Sequence, residues 1–366
     1  MNQLNLFRFN LIIRLLKNRS LDTRVKNYLL PFLIEKTRFS LLHYLKVMVY
    51  FTLCAISLNS YANSAILPTP ELPSLPAPLV SLGDTLFHDT RLSADNTISC
   101  ASCHDLSHNG ADRRPFSVGV GGAVGRIRAP SVYNSAFDLA QFWDGRAIDL
   151  QSQVDGPIHD EVEMGSDWES IIANLQEDPS ITQRFNAVFR NGITADNIRE
   201  ALAAFQKTLI LTDSPFDRWL LGDHSALTSQ QVRGYELFRS YGCISCHQGA
   251  NVGGNMFSRM GSLENYFELK GEHISQADLG RYNVTGNPNH RYVFKVPSLR
   301  TAALNDFFFH DSSANSLEDA IVTMARFQLG RQLPEQHIAD IAAFIHSLTG
   351  THPRLSSQLN NRLEQR

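Results

Sequence analysis

Two copies of the pattern Cys-x-x-Cys-His constrain this chain more than any other feature of its sequence. They begin at Cys100 and at Cys243. At this spacing two thiols can form thioethers with the vinyl groups of one haem, while the adjoining histidine reaches the iron as its proximal ligand. The sequence therefore predicts two covalently bound c-type haems. The predicted attachment points are Cys100, Cys103, Cys243 and Cys246, and the predicted proximal ligands are His104 and His247.

The alternative for a single Cys-x-x-Cys pair is a redox-active disulfide or half of a zinc site. Here both pairs are followed directly by histidine, and Cys54 is the one cysteine outside them. Zinc ribbons have no need of histidine at this place twice. Haem attachment is therefore the preferred interpretation of both motifs.

The N-terminal part of the chain has the features of an export leader. An apolar run over residues 47–58 is followed by a small-x-small cleavage site that ends at Ala62. The run is too short to span a bilayer, and a Pro-rich segment at residues 63–78 follows it. We expect cleavage near Ala62 and export to the periplasm. The basic residues 1–46 exceed what a signal peptide needs, which indicates a start codon assigned too far upstream; a role of their own is the alternative.

The charge balance argues against a nucleic-acid partner. The chain has a formal net charge of -3, and removal of the basic leader makes the remainder more acidic. Nucleic-acid binding depends on basic surface, whereas an acidic surface on an exported redox protein suits a basic electron carrier. A solvated acidic face without a partner is the alternative interpretation.

The surroundings of the two motifs repeat. Residues 83–87 (GDTLF) and 234–238 (GYELF) precede them, and residues 202–205 (LAAF) are echoed by 341–344 (IAAF). The apolar spacing predicts helices, so we expect a mainly α fold with two cytochrome c-like haem domains related by an internal repeat. The predicted segments are a first haem domain over 79–222, a second over 223–350 and a polar C-terminal tail over 351–366.

A long segment after the first motif is too specific in sequence to be a linker. From about Leu79 to Gly350 the chain resembles the bacterial dihaem cytochrome c peroxidases, a superfamily that also contains the tryptophan-modifying enzyme of methylamine utilisation. The resemblance is carried by VGVGG at 118–122, QFWDGR at 141–146, SPFD at 214–217, VFKVPSLR at 293–300, FHD at 309–311 and QLG at 328–330.

This resemblance implies a role for each residue of a peroxidase site. It places the open iron position on the haem of His104, makes Glu163 the acid/base, and puts Gln153 beside it as a hydrogen-bonding neighbour. Trp143 would relay electrons between the haems. A peroxidase needs such a base to move a proton from the inner to the outer peroxide oxygen. A lone glutamate is usually a solvated surface carboxylate, but Trp143, Gln153 and Glu163 fall at the family's intervals from His104.

The second haem is implied to be the electron entry site. Its proximal ligand would be His247, and Met324 matches the family's distal methionine. A thioether opposite histidine raises the reduction potential. Met324 also lies in a predicted amphipathic helix, so packing in the core is the alternative. The tryptophan-modifying relative has a tyrosine at this place, and Met324 therefore favours a peroxidase.

Two positions depart from the family pattern. Many members hold a blocking histidine in the Gly-rich loop, where this chain has Val120, so we expect a first haem that is open without reductive activation. Members that bind calcium use an asparagine where this chain has Arg128. Calcium prefers oxygen ligands, so a calcium site is not expected, although Asp306 in the second calcium-binding segment offers a carboxylate and keeps the alternative open.

The sequence thus predicts a periplasmic dihaem peroxidase that reduces hydrogen peroxide to water, with electrons from a small c-type cytochrome or cupredoxin. The resemblance also implies a homodimer. One alternative is an enzyme that oxidises a residue of a partner protein with the same haems. Others are a non-enzymatic dihaem electron carrier, with both irons six-coordinate, and a zinc-binding or structural module.

Overall fold

The structure, a computed structural model, describes residues 65–71 and 74–364. The predicted signal peptide, its cleavage site and Cys54 lie outside these residues. Within the described ranges, no helix is long and apolar enough to cross a membrane.

The described residues form twelve α-helices and one small sheet, so the prediction of a mainly helical protein is confirmed. Strands β1 (Phe257–Arg259) and β2 (Val293–Lys295) pair antiparallel, with Ser258 opposite Phe294. The helices are α1 Ala77–Phe87, α2 Leu150–Gln153, α3 Asp155–His159, α4 Trp168–Gln176, α5 Pro179–Val188, α6 Ala195–Gln206, α7 Pro215–Leu220, α8 Ser229–Ser240, α9 Tyr282–Thr285, α10 Leu317–Leu329, α11 Glu335–Ser347 and α12 Ser357–Glu364.

Helices α1 and α6 cross at Gly83, just before the first motif. A Cβ atom on Gly83 would lie 1.9 Å from the carbonyl oxygen of Ala201 and 2.8 Å from Cβ of Phe205. No side chain fits in that space, so glycine is required for the two backbones to approach. The buried side chains of Leu86, Phe87 and Phe205 pack in the core that surrounds this crossing.

Helices α8 and α11 cross in the same way before the second motif. A Cβ atom on Gly234 would lie 1.9 Å from the carbonyl oxygen of Asp340 and 2.9 Å from Cβ of Phe344. Helix α8 begins after Thr228, which forms a capping box with Gln231: each side chain accepts the other residue's backbone N–H. The helices that the sequence predicts on either side of each motif are therefore present.

The two ends of the described chain each pack away from their neighbours in sequence. Ile66 is buried in the core around α8 and α11. Leu355 and Leu359 are buried in the core around α1 and α6. The residues predicted as a polar C-terminal tail thus contain helix α12, because two leucines give one of its faces and the turn before it an apolar surface to bury.

Candidate functional site

The first motif forms a tight turn that fixes the orientation of its histidine. Cys100–Ser102 is a 3-10 turn, and the backbone N–H of His104 donates to the carbonyl oxygen of Cys100 over 3.0 Å. The ring Nδ1 of His104 lies 3.0 Å from the carbonyl oxygen of Gly110. Since a carbonyl oxygen only accepts, Nδ1 carries the proton and Nε2 keeps its lone pair for a metal. Desolvation lowers the pKa of His104, which favours this neutral form.

A cavity beside this histidine brings together five of the predicted site residues. It encloses about 640 Å³ of atom-free space, part of it open to solvent. Its lining includes Cys100, Cys103 and His104 from the motif, together with Gln153 and Glu163. Most of the other lining residues are apolar. Five side chains that the sequence predicts to act on one haem therefore face a single cavity.

The backbone N–H and carbonyl of Glu163 are both hydrogen bonded, and its side chain, which lines the cavity, is partly buried. Its N–H donates to the carbonyl oxygen of Asp160 over 2.9 Å, and its carbonyl oxygen accepts from Val120 N–H over 2.9 Å. Burial raises the pKa of Glu163, and the negative charge of Asp160 adds to this, while Arg146 and Arg126 oppose it. A carboxyl group with a raised pKa gains and loses a proton more readily near neutral pH.

Gln153 reaches the same cavity from the last residue of α2. That short helix is capped by Asp149, whose carboxylate accepts the N–H of Ser152 over 2.8 Å. The backbone N–H of Gln153 donates to the carbonyl oxygen of Asp149 over 3.1 Å. The cap therefore fixes the backbone from which the amide side chain of Gln153 reaches the cavity.

The second motif repeats the turn and the ring contact of the first but not the hydrogen bond of its histidine ring. Cys243–Ser245 is a 3-10 turn, and the ring of Phe238 lies 6.4 Å from that of His247, as Phe87 lies 6.4 Å from His104. Desolvation lowers the pKa of His247 to about 4, although the nearby backbone of the surrounding loops acts to raise it. Its Nδ1 is buried and makes no hydrogen bond of standard geometry within the described part of the chain.

Trp143 and Met324 are not among the residues that line the first cavity. Both are partly buried against one apolar cluster that contains Met260 and Phe294. The indole Nε1 of Trp143 donates to the carbonyl oxygen of Arg128 over 2.9 Å, which fixes the ring plane. Met324 lies in α10, the helix in which the sequence places it.

A buried polar network beside Trp143 was not predicted from the sequence. His310 lies edge-on to Trp143 with 6.3 Å between ring centroids, and its Nε2 is 2.7 Å from Asp278 Oδ1. The ammonium of Lys270 lies 2.5 Å from Asp278 and 2.6 Å from Asp311. The two carboxylates and the histidine are close enough to hold a cation, but the lysine already supplies the positive charge. His310 and Asp311 belong to the FHD segment that carries the family resemblance, but no sequence spacing links them to Lys270 or Asp278.

Comparison with known proteins decides the family. A sequence profile for the di-haem cytochrome c peroxidases matches residues 77–225. The chain is 47% identical over 293 residues to cytochrome c peroxidase Ccp of Escherichia coli K12, covering 80% of this chain and 62% of that protein. It is 43% identical to the cytochrome c551 peroxidase of Nitrosomonas europaea, covering 80% of this chain and 86% of the relative. The chain belongs to the di-haem cytochrome c peroxidase family. The resemblance found in the sequence is confirmed, and the enzyme class is that of a peroxidase, an oxidoreductase.

Other members of the superfamily are more distant. Methylamine utilization protein MauG of Methylorubrum extorquens is 35% identical, with 69% of each chain covered. The solved structure of a MauG-like protein associated with microbial copper homeostasis has a TM-score of 0.69 at 26% identity, and the match covers 80% of this chain and 97% of that one.

The residues of the first motif fit the haem that this family implies. Its two cysteines have free thiols beside an apolar cavity, and Nε2 of the adjoining histidine keeps its lone pair. The second motif has the same turn, free thiols at Cys243 and Cys246, and a neutral histidine. Both donor sets suit covalent attachment with a proximal imidazole.

Proposed function

We propose that this protein reduces hydrogen peroxide to water at the cavity beside His104. The observation that carries the proposal is that Glu163 and Gln153 line the same cavity as the two cysteines and the histidine of the first motif. The reaction consumes one peroxide, two electrons and two protons, and it releases two water molecules. The protein must therefore admit peroxide, move protons between its oxygens, and bring electrons to the site.

Glu163 and Gln153 would carry out the proton steps of the reaction. A bound haem supplies the iron position for peroxide and the redox chemistry. Glu163 would take a proton from one peroxide oxygen and give it to the other, which could then leave as water. The raised pKa of Glu163 supports this role because the carboxyl must both accept and release the proton. Gln153 orients peroxide and the carboxyl through its amide.

Electrons would enter at the second motif, where His247 and Met324 would hold the second haem. An imidazole and a thioether as its ligands would raise the reduction potential, which suits an electron store. Trp143 is the proposed relay toward the first motif. This assignment is supported by the cluster that Trp143 and Met324 share, and by the hydrogen bond that holds the indole.

The Gly-rich loop is proposed to leave the first haem accessible in the oxidised protein. Val120 has no group that ligates iron, and its N–H is bonded to the backbone of Glu163. The side chain of Val120 also packs against Gly165, where an added Cβ would lie 3.2 Å from it. These contacts support a resting enzyme that needs no reductive activation.

We further propose two cytochrome c-like haem domains related by an internal repeat, with the boundary near residues 222–223. The matched crossings at Gly83 and Gly234, and the matched ring contacts at the two histidines, support it. We also propose that the protein is exported to the periplasm, that a small c-type cytochrome or cupredoxin is its electron donor, and that it forms a homodimer. No calcium site is proposed, because Arg128 places a cation where the family's asparagine would be.

Oxidation of a residue on a partner protein is the second candidate, and the MauG relatives favour it. Steady-state turnover separates the two. The peroxidase consumes one peroxide for every two electrons taken from a reduced small cytochrome c, and it continues through many cycles with no other protein present. Failure to oxidise any small redox protein, with peroxide consumed only when a protein substrate is added, would support the second candidate. An inert protein with both irons six-coordinate would be an electron carrier.

A further inference from the structure

Arg128 is a buried cation whose side chain lacks a full set of partners. It is 3% exposed. Its Nη1 makes one long hydrogen bond, 3.4 Å to the carbonyl oxygen of Asp112. Its Nη2 is buried with no hydrogen-bond partner among the residues that the structure describes. A buried guanidinium without an anion is costly, so this arrangement calls for an explanation.

Arg300 shows how the same chain satisfies a buried arginine. It is 0% exposed, and its Nη1 lies 2.8 Å from both carboxylate oxygens of Asp217. Its Nε donates to the carbonyl oxygen of Ala250 over 2.9 Å, and its Nη2 to that of Leu67 over 3.0 Å. Arg128 has nothing comparable, so the two sites differ in kind.

The two carboxylates that act electrostatically on Arg128, those of Asp112 and Asp306, make no hydrogen bond to its Nη2. Both oxygens of Asp112 accept hydrogen bonds from Arg114, at 2.9 and 2.7 Å. Oδ2 of Asp306 makes no hydrogen bond within the described residues, but its charge faces two other basic groups, His108 Nε2 at 3.3 Å and Arg113 Nε at 3.8 Å. These carboxylates act on Arg128 only through space, against the effect of burial, which lowers its pKa. The free Nη2 therefore points to an anion that the polypeptide does not supply.

The backbone around Arg128 joins the first motif to the proposed electron relay. Gly110, whose carbonyl holds the ring of His104, lies two residues before Asp112, whose carbonyl holds the guanidinium. The carbonyl oxygen of Arg128 accepts from Trp143, and its N–H donates to the carbonyl oxygen of His310 over 2.9 Å. Arg128 is thus hydrogen bonded both to the segment that follows the first motif and to Trp143 of the proposed relay.

We propose that Nη2 of Arg128 donates a hydrogen bond to a propionate carboxylate of the first haem. This rests on the proposed attachment of haem to the first motif, and a propionate is the anion that such a haem brings to its surroundings. The guanidinium neutralises that carboxylate out of water, where a charge-assisted hydrogen bond is strong. A nearby cation favours the ferrous state, so Arg128 raises the reduction potential of the first haem.

The test compares Arg128→Met and Arg128→Lys with Arg113→Met. Arg113 lies near Asp306, the carboxylate that also acts on Arg128, but its side chain is 65% exposed, so its charge is screened by solvent. Haem content is measured first. A wild-type protein without haem would contradict the proposed function as well as this inference. With both haems attached, the reduction potential of the first haem and the propionate bending mode in its resonance Raman spectrum are recorded.

The expected result for Arg128→Met is a lower potential and a shifted propionate mode at the first haem, with the second haem unchanged and Arg113→Met close to wild type. Arg128→Lys keeps the charge with different donor geometry, so the mode shifts while most of the potential is retained. If Arg128→Met cannot be purified, the mode in Arg128→Lys decides. An unchanged mode in every variant, or a shift confined to the second haem, would overturn the proposal.

Discussion

The backbone N–H of Val120 donates to the carbonyl oxygen of Glu163 over 2.9 Å, so the Gly-rich loop is docked on the residue proposed to move the proton. Close packing at the neighbouring glycine maintains this contact: a Cβ atom on Gly119 would lie 2.2 Å from the carbonyl oxygen of Val162. The position of the loop and the position of the carboxyl are therefore coupled.

Gly119→Ala should displace the loop and, with it, Glu163. Misplacement of a catalytic group by about 1 Å can cost about 100-fold in rate, so we expect kcat/KM for peroxide to fall by up to that factor. Gly125→Ala is the matched control, because its added Cβ would have its nearest contact at 3.4 Å. Equal activity in the two variants would show that the docking of the loop has no catalytic role.

Glu163→Gln removes the proposed acid/base while keeping the shape of the side chain. We expect peroxide turnover to fall by about 10²–10⁴-fold, the usual contribution of a positioned proton-transfer group. The absorption spectrum of both haems should stay as in the wild type. Glu161→Gln, an exposed carboxyl two residues away, should keep full activity. A fully active Glu163→Gln would rule the residue out as the base.

The raised pKa of Glu163 predicts the acid side of the pH profile. The protonated carboxyl cannot accept a proton from peroxide, so kcat/KM should fall as the pH drops through this pKa. That fall should begin at a higher pH than for an ordinary glutamate, because burial and the negative charge of Asp160 raise the pKa of Glu163. Arg146 lowers this pKa, so Arg146→Gln should move the acid limb further upward, and salt should shrink the difference between the proteins. An acid limb that persists in Glu163→Gln would assign it to another group.

Met324→Leu tests the distal ligand of the second haem. Loss of the thioether should lower the potential of that haem and abolish the sulfur-to-iron charge-transfer band in the oxidised spectrum. Met260→Leu is the control, because Met260 is buried in the cluster against which Met324 packs. Such swaps conserve volume and usually cost less than about 1.5 kcal/mol of stability. A charge-transfer band that survives in Met324→Leu would leave Met324 with a packing role only.

The parts of this structure that sequence could predict are those with a local rule. Cys-x-x-Cys-His places its cysteines and histidine on one short turn, and apolar spacing marks helices such as α6 and α11. The convergence of Glu163 and Gln153 on the first cavity was expected from family resemblance, and their place beside His104 depends on long-range packing that no local pattern contains. The burial of Arg128 and the contacts of Lys270 with two carboxylates likewise depend on distant segments.

The most direct test mixes the fully oxidised protein with one equivalent of hydrogen peroxide in a stopped-flow spectrometer, with and without prior reduction by one electron. The first haem should react at once in the oxidised protein, as an open site beside Glu163 requires, and prior reduction should give no large gain in rate. A pair of low-spin haems that stay inert to peroxide until one electron is added would contradict the proposed open resting site. Inertness even after reduction would contradict the peroxidase function itself.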